Sequence, residues 1–124
     1  MTTERAESFS RDWIAAWNAH DLDRILSHYS DDVVFSSPFA VELAGAEDGI
    51  VRGTSELRTY FARGLQAYPD LYFELIASLA GANSVALYYR SVGGREAIEV
   101  MELDSSGLVC RVIVHYSAPR ETAA

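Results

Sequence analysis

Residues 70–116 read DLYFELIASLAGANSVALYYRSVGGREAIEVMELDSSGLVCRVIVHY, and this stretch decides the fold. Three turn signals, GANS, VGG and DSSG, divide it into four runs of about nine residues that are rich in apolar, β-branched and aromatic side chains. Runs of this composition, separated by Gly, Asn, Asp and Ser, are typical of β-strands joined by tight turns. We therefore expect four antiparallel strands in series.

The residues that precede this stretch predict helices. From about Thr3 to Asn18, apolar side chains recur every three or four residues, as on one face of an amphipathic helix, and Thr2 or Thr3 could cap its start. Asp21 can cap a second, shorter helix that carries Tyr29, because its side chain can accept a hydrogen bond from the free amides of the first turn.

A strand and a third helix follow. Residues 33–37 are largely β-branched and aromatic, and Pro38 ends this strand because it removes a backbone donor. Residues 39–53 show no clean period and are expected to form a loop, with room for a short hairpin. The third helix begins at Thr54 and runs to Pro69. The fold class is then α+β: three N-terminal helices packed on a mostly antiparallel sheet, in a single domain of residues 1–124.

Composition excludes several classes of function. The chain has eighteen acidic residues against ten basic ones, a net charge of -8, so nucleic acid and membrane surfaces are not expected partners. All ten basic residues are Arg, which excludes Schiff-base chemistry and a P-loop lysine. Cys110 is the single cysteine, and no apolar stretch approaches the ~20 residues of a membrane span. We expect a cytoplasmic protein.

Three motifs carry a family resemblance: AWNAHDLDRILSHYSDDVVFSSP at 16–38, GTSELRTYF at 53–61 and MELDSSGLVCRVIVHY at 101–116. They resemble the nuclear transport factor 2-like (NTF2-like) superfamily, and within it the SnoaL-like and ketosteroid-isomerase-like branch. The resemblance implies a strongly curved sheet wrapped round the helices as a cone, with one buried cavity. It also implies a homodimer through the outer sheet face.

The resemblance also implies which positions carry chemistry. In the steroid isomerases an Asp general base precedes the Pro that ends the first strand, and here that position is Ser37. A helix-one tyrosine that donates to the oxyanion is replaced by Trp13. The acid of the penultimate strand is retained as Glu99, close to where SnoaL-type polyketide cyclases carry an acid/base Asp. Steroid isomerase activity is therefore not expected.

Glu99 is the candidate catalytic residue, since a carboxylate in the middle of a strand is costly unless it is paired or functional. It could act as a general acid or base, or it could form a cross-strand ion pair with Arg90. A two-residue turn at 93–94 would place Tyr88 opposite Glu99, whereas a longer or bulged turn would place Tyr89 there. The sequence leaves both alternatives open.

The resemblance places many aromatic side chains round the cavity, which implies an apolar, ring-containing ligand. Ordinary core packing would account equally well for any one of them. The residues expected to contact a ligand are Trp13, Trp17, Tyr29, Phe35, Ser37, Phe39, Tyr60, Tyr88, Met101 and Tyr116.

Two functional hypotheses follow from the residues and the resemblance together. The first is a cofactor-independent enzyme of the isomerase, cyclase or hydrolase class that uses Glu99 on a hydrophobic carbonyl compound. The alternative is a non-catalytic ligand-binding or dimerisation module of the same fold. His20, His28 and His115 lack metal-ligand spacing, so we expect no metal and no other cofactor.

Overall fold

The computed structural model describes residues 1–119; residues 120–124, which the predicted domain also includes, lie outside the described part. Within that part the elements are α1 (Thr3–Asn18), α2 (Leu22–Leu26), β1 (Tyr29–Ser36), α3 (Phe39–Leu43), β2 (Ile50–Arg52), α4 (Thr54–Ala67), β3 (Glu74–Ala80), β4 (Ser84–Arg90), β5 (Glu96–Leu103) and β6 (Val109–Tyr116). The four predicted C-terminal strands are all present, which confirms the α+β class.

The strands form one curved sheet that does not close, in the order β2-β1-β6-β5-β4-β3. Neighbouring strands are antiparallel except β1 and β6, which run parallel. The prediction of a mostly antiparallel sheet is therefore confirmed. Among residues 1–119, no helix combines the length and the apolar character needed to cross a membrane.

The starts of the first two helices follow the predicted capping chemistry. The Thr2 hydroxyl accepts a hydrogen bond from the Arg5 amide at 3.1 Å, and the Asp21 carboxylate accepts one from the Arg24 amide at 3.2 Å. The end of α2 was predicted wrongly, because Tyr29 belongs to β1 and not to the helix. The parallel neighbour β6 supplies backbone partners there, and this tertiary pairing outweighs helix propensity.

Residues 39–53 are more ordered than the predicted loop. They contain the short helix α3 and the strand β2, which pairs with β1 so that Val51 lies opposite Phe35. Pro38 starts the helix with a φ of -57°, the value that its ring imposes, and Ala40 is completely buried beneath it. The described chain therefore has four α-helices where three were predicted.

The register between β4 and β5 corrects both predicted alternatives. Leu87, and neither of the two tyrosines, lies directly opposite Glu99. The strands are joined by five residues, 91–95, closed by a 2.8 Å hydrogen bond from the Ser91 amide to the Arg95 carbonyl. Because side chains alternate along a strand, Tyr89 shares the face of Glu99 and Tyr88 points to the opposite face.

The end of α1 is fastened to the irregular segment before β3. The Asn18 amide group donates to the Phe73 carbonyl at 2.9 Å, and its oxygen accepts from the Phe73 amide at 2.6 Å. A ring nitrogen of His20 lies 2.8 Å from the Leu71 carbonyl oxygen. These contacts hold Leu71 and Phe73 against α1, where both side chains are buried.

Candidate functional site

A pocket opens between the helices and the inner face of the sheet. Its cavity volume is about 60 Å³. This is several times the roughly 10–15 Å³ that one water needs, but it is below the roughly 300–1,000 Å³ of pockets for drug-sized ligands. Six of the predicted contact residues line it: Trp13, Trp17, Phe35, Phe39, Tyr60 and Tyr116.

Glu99 also lines this pocket, from the middle of β5. Its side chain is 3% exposed, and the Tyr89 hydroxyl donates a hydrogen bond to its Oε1 at 2.7 Å. Its Oε2 has no hydrogen-bond partner within residues 1–119. The alternative ion pair is wrong, since Arg90 lies on the other face of β4 and pairs with Glu74 at 3.7 Å.

The surroundings of Glu99 keep it protonated at neutral pH. Burial raises the pKa of its carboxyl from 4.5 to about 8, although the hydrogen bond from Tyr89 lowers it in part. Because Oε1 already accepts from Tyr89, the acidic proton belongs on Oε2. This pocket-lining residue thus carries an O–H donor that no residue of the described chain uses.

Further hydroxyl groups surround this carboxyl. The Tyr60 hydroxyl donates to Ser37 Oγ at 3.3 Å, and burial raises the pKa of Tyr60 to about 12. Burial, with the charge of Glu99 adding to it, holds the pKa of Tyr116 well above its ordinary value, while hydrogen bonds with Ser37 and Tyr89 act in the opposite direction. Each phenol stays neutral near pH 7 and can donate a hydrogen bond.

Trp13, at the position where the resemblance places an oxyanion donor, uses its N–H inside the protein. Its Nε1 donates to the Tyr29 hydroxyl at 2.9 Å. Tyr29 is buried, its pKa is raised first by burial and then by the charge of Glu99, and it does not line the pocket. The aromatic face of Trp13 is therefore what this residue presents to a ligand.

Three other predicted contact residues lie elsewhere. Tyr88 points to the outer face of the sheet, where its hydroxyl donates to the Glu96 carboxylate, so its placement in the cavity was wrong. The unpredicted register of β4 is the reason. Met101 and Ser37 face inward and are buried, but neither lines the pocket itself.

Several lining residues were missed by sequence reasoning. Phe61 and Tyr68 belong to the apolar face of the third predicted helix, so periodicity could have pointed to them. Leu71 and Phe73 lie between α4 and β3, and Val92 begins a three-residue 3-10 turn between β4 and β5, so no period marks these side chains as inward. The lining residues that the predicted set lacks are Leu43, Phe61, Gly64, Tyr68, Leu71, Phe73, Tyr89, Ser91 and Val92.

Metal ligands do not gather in the described chain. Among residues 1–119, no group of three or more His, Cys, Asp or Glu side chains could hold a metal ion. His115 is exposed on one face of β6, whereas Tyr116 lines the pocket from the other face. Within the lining, Glu99 is the single carboxyl group.

Comparison with known proteins agrees with this architecture. Residues 10–118 match the SnoaL-like domain. A SnoaL-like protein of unknown function from Burkholderia thailandensis is 47% identical, with a TM-score of 0.90 over 94% of this chain and 98% of that chain. No functionally curated protein matches the chain.

More distant structures share the fold alone. An NTF-2 like protein of unknown function from Burkholderia xenovorans is 20% identical, with a TM-score of 0.73 over 97% of this chain and 88% of that one. SalBIII, an epoxide hydrolase/cyclase-like enzyme with a role in pyran ring formation in the polyether salinomycin, is 16% identical, with a TM-score of 0.73 and 92% of both chains covered. The resemblance to the SnoaL-like branch is confirmed: the chain belongs to the SnoaL-like domain family.

Proposed function

We propose that this chain is a small-molecule enzyme in which Glu99 acts as a general acid on the carbonyl oxygen of an apolar compound. One observation carries the proposal: a buried carboxyl group lines the pocket with one oxygen bonded to Tyr89 and the other without a partner in the described chain. A neutral carboxylic acid in such a position can donate a hydrogen bond, or its proton, to a ligand oxygen.

The proton transfer follows from this geometry. The proton on Glu99 Oε2 moves to the ligand oxygen, and the electron pair of that O–H bond stays on the carboxylate. The Tyr89 hydroxyl, 2.7 Å from Oε1, stabilises the carboxylate that forms. Since Ser37 stands where the steroid isomerases carry a second carboxyl, Glu99 itself takes the proton back when the product forms.

The walls and the size of the pocket define the ligand class. Aromatic rings bury flat apolar groups well, and the pocket is lined mainly by such rings. Its volume of about 60 Å³ is far too small for a steroid nucleus, so the proposed ligand has at most one ring. Isomerisation, cyclisation and hydrolysis are the reactions of small carbonyl compounds that one acid/base residue can serve.

Hydrogen–deuterium exchange at the carbons beside a ketone tests the acid role without knowledge of the natural substrate. In heavy water, wild-type protein should accelerate this exchange in a small cyclic ketone: Glu99 gives its proton to the carbonyl oxygen, a solvent water takes the proton from the neighbouring carbon, and the electron pair of that C–H bond forms the C=C bond of the enol. Glu99→Gln should lower the rate at least about a hundredfold, the lower end of general acid catalysis. Proton NMR of the ketone measures the rate.

The control is Glu102→Gln, which removes one negative charge from the exposed face of the same strand and should leave the rate unchanged. The wild-type rate should fall as the pH rises through about 8, where Glu99 loses its proton. Equal rates in wild type and Glu99→Gln would rule out the acid role.

A non-catalytic binding module is the second candidate function. Two observations favour it: Ser37 provides no carboxylate base, and the Trp13 N–H is engaged by Tyr29. A ketone that binds in the pocket with no accelerated exchange would decide for this function. Chemical-shift perturbation of the pocket aromatics would detect that binding.

The outer face of the sheet supports a further proposal, a homodimer. Ile98 is 47% exposed there, and Val100 and Ile113 lie beside each other across the β5–β6 pair on the same face. A second copy would cover this apolar strip by placing the same face against it. Light scattering should give a dimer for wild type and a monomer for Ile98→Glu, and a monomeric wild type at high concentration would contradict the proposal.

A further inference from the structure

Two buried side-chain nitrogen or oxygen atoms of the described chain have no hydrogen-bond partner there, and both belong to residues that line the pocket. One is Glu99 Oε2, and the other is Trp17 Nε1, on a side chain that is 6% exposed. Buried N–H groups are nearly always satisfied in native proteins, since an unsatisfied one costs about 1–3 kcal/mol. The Trp17 N–H therefore calls for an explanation that the fold alone does not provide.

The other tryptophan shows that this fold can satisfy an indole. Trp13 lies one helical turn before Trp17 on α1, and its N–H donates to the Tyr29 hydroxyl at 2.9 Å. The two side chains are in contact, with ring centroids 6.0 Å apart. The Trp13 N–H is thus satisfied within the protein, whereas the N–H of Trp17, which also lines the pocket, has no partner in residues 1–119.

Aromatic surface separates the two unpartnered atoms. The Phe73 ring contacts Trp17 at 5.5 Å and Tyr89 at 4.8 Å, and Tyr89 in turn holds Glu99. Trp13 bridges the same two residues, at 6.0 Å from Trp17 and 5.3 Å from Tyr89. A ligand that meets both atoms must lie across these rings.

We propose that the ligand of this pocket is a compact ring compound with two oxygen acceptors at opposite ends, one bound by Glu99 Oε2 and the other by Trp17 Nε1. The inference rests on the proposed function for the Glu99 end and adds Trp17 as a specificity-determining residue. The ring between the two oxygens lies against Trp13 and Phe73. A ligand with one oxygen leaves the Trp17 N–H without a partner and binds more weakly.

The chief rival explanation is a contact between the Trp17 N–H and an aromatic face. Phe61 packs against Trp17 edge to face, with centroids 4.8 Å apart and an angle of 72° between the planes. An N–H directed at a ring gains a weak interaction and needs no ligand. The experiment must therefore separate the N–H of Trp17 from its ring.

Two matched probes make this separation. The first is a cyclohexane ring with two opposite carbonyl groups, and the second has a methyl group in place of one carbonyl. The chain has two tryptophans, so a nitrogen–proton correlation spectrum contains two side-chain indole signals, and Trp17→Phe identifies which one belongs to Trp17. Titration of either probe gives its affinity and shows which indole it touches.

Wild type should bind the diketone roughly threefold to tenfold more tightly than the methyl ketone, the effect of one hydrogen bond. The diketone should move the Trp17 indole signal downfield, and the methyl ketone should not. In Trp17→Phe, which keeps an aromatic ring in place, the two affinities should become equal while that of the methyl ketone is unchanged. A circular-dichroism spectrum and a cooperative unfolding transition like those of wild type show that the fold of the variant is intact.

Several results would overturn the inference: no binding of the diketone by wild type, equal affinities for the two probes, or a preference that survives in Trp17→Phe. If Trp17→Phe is poorly folded, a wild-type spectrum in which the diketone moves neither indole signal decides against the inference equally well. Failure of the acid role appears separately, as ketone exchange that persists in Glu99→Gln. Each of the two ends of the ligand is thus tested by its own variant.

Discussion

Glu99 and Glu102 lie three residues apart on one strand, yet they are in opposite situations. Glu99 is buried beside Tyr89 and holds its proton near neutral pH, while Glu102 is exposed to water on the other face of β5. Side chains alternate along a strand, so an odd spacing between two identical residues places them on opposite faces. The comparison shows that position on the pleat, rather than residue type, makes one glutamate a candidate acid.

The largest expected difference between the two glutamates is in the pH dependence of stability. The pKa of Glu99 is about 8 when folded and near 4.5 when unfolded. The contribution of Glu99 to the free energy of unfolding is fully present below pH 4.5 or so. It falls as the pH rises between the two pKa values and is lost above about pH 8. Between these two pKa values the free energy of unfolding of wild type falls by about 1.4 kcal/mol for each pH unit.

Glu99→Gln, which imitates the protonated acid, should therefore match wild type at pH 4.5 and exceed its stability by several kcal/mol at pH 9. Urea unfolding at both pH values measures the difference in free energy of unfolding. Glu102→Gln should follow wild type within about 0.5 kcal/mol, as surface substitutions usually do. If the free energy of unfolding of wild type and of Glu99→Gln changed with pH in the same way, Glu99 would titrate like the exposed Glu102, and the proposed difference between the two glutamates would be wrong.

The two tryptophans of α1 sharpen the comparison inside the pocket. Trp13→Phe leaves the Tyr29 hydroxyl without its donor and should cost about 1–3 kcal/mol more than the loss of ring volume alone. Trp17→Phe removes the same atoms from an indole whose N–H has no partner in residues 1–119. Thermal or urea unfolding should rank Trp13→Phe as the more damaging, and an equal or reversed order would show that both N–H groups are used alike.

The smallest expected effect comes from Tyr89→Phe. The hydrogen bond from Tyr89 lowers the pKa of Glu99, so its removal should raise that pKa further above about 8. The pH at which the Glu99→Gln advantage levels off should move upward, while its onset stays near 4.5, and the substitution should cost about 1 kcal/mol of stability. NMR titration of the Glu99 carboxyl carbon measures the shift directly, and a lower pKa would contradict the hydrogen-bond geometry.

Much of the fold could be predicted because it follows from local patterns. The apolar spacing that predicted the first helix gives the bounds of α1, and the GANS, VGG and DSSG signals separate the four strands β3 to β6. Glu99 could be singled out because a charged residue interrupts an apolar strand. These features depend on neighbours within a few residues.

The features that could not be predicted depend on tertiary contacts. The register of β4 against β5 is fixed by the conformation of residues 91–95, and it decides whether Tyr88 or Tyr89 accompanies Glu99. Tyr29 leaves its predicted helix because β6 lies alongside it. Phe73 reaches the pocket from a segment with no periodicity, where only a long-range contact to α1 positions it.

The pair of hydrogen bonds between Asn18 and Phe73 makes the part of the pocket wall that Phe73 forms rigid. Through its side-chain amide, Asn18 offers Phe73 the donor and the acceptor that a neighbouring strand would otherwise supply. The rings of Trp17 and Phe73 are consequently held at a fixed distance in the protein without a ligand. A ligand that bound between them would therefore cost these side chains little conformational entropy. A single carboxamide thus takes the place of an edge strand and fixes the position of Phe73 in the wall of the pocket.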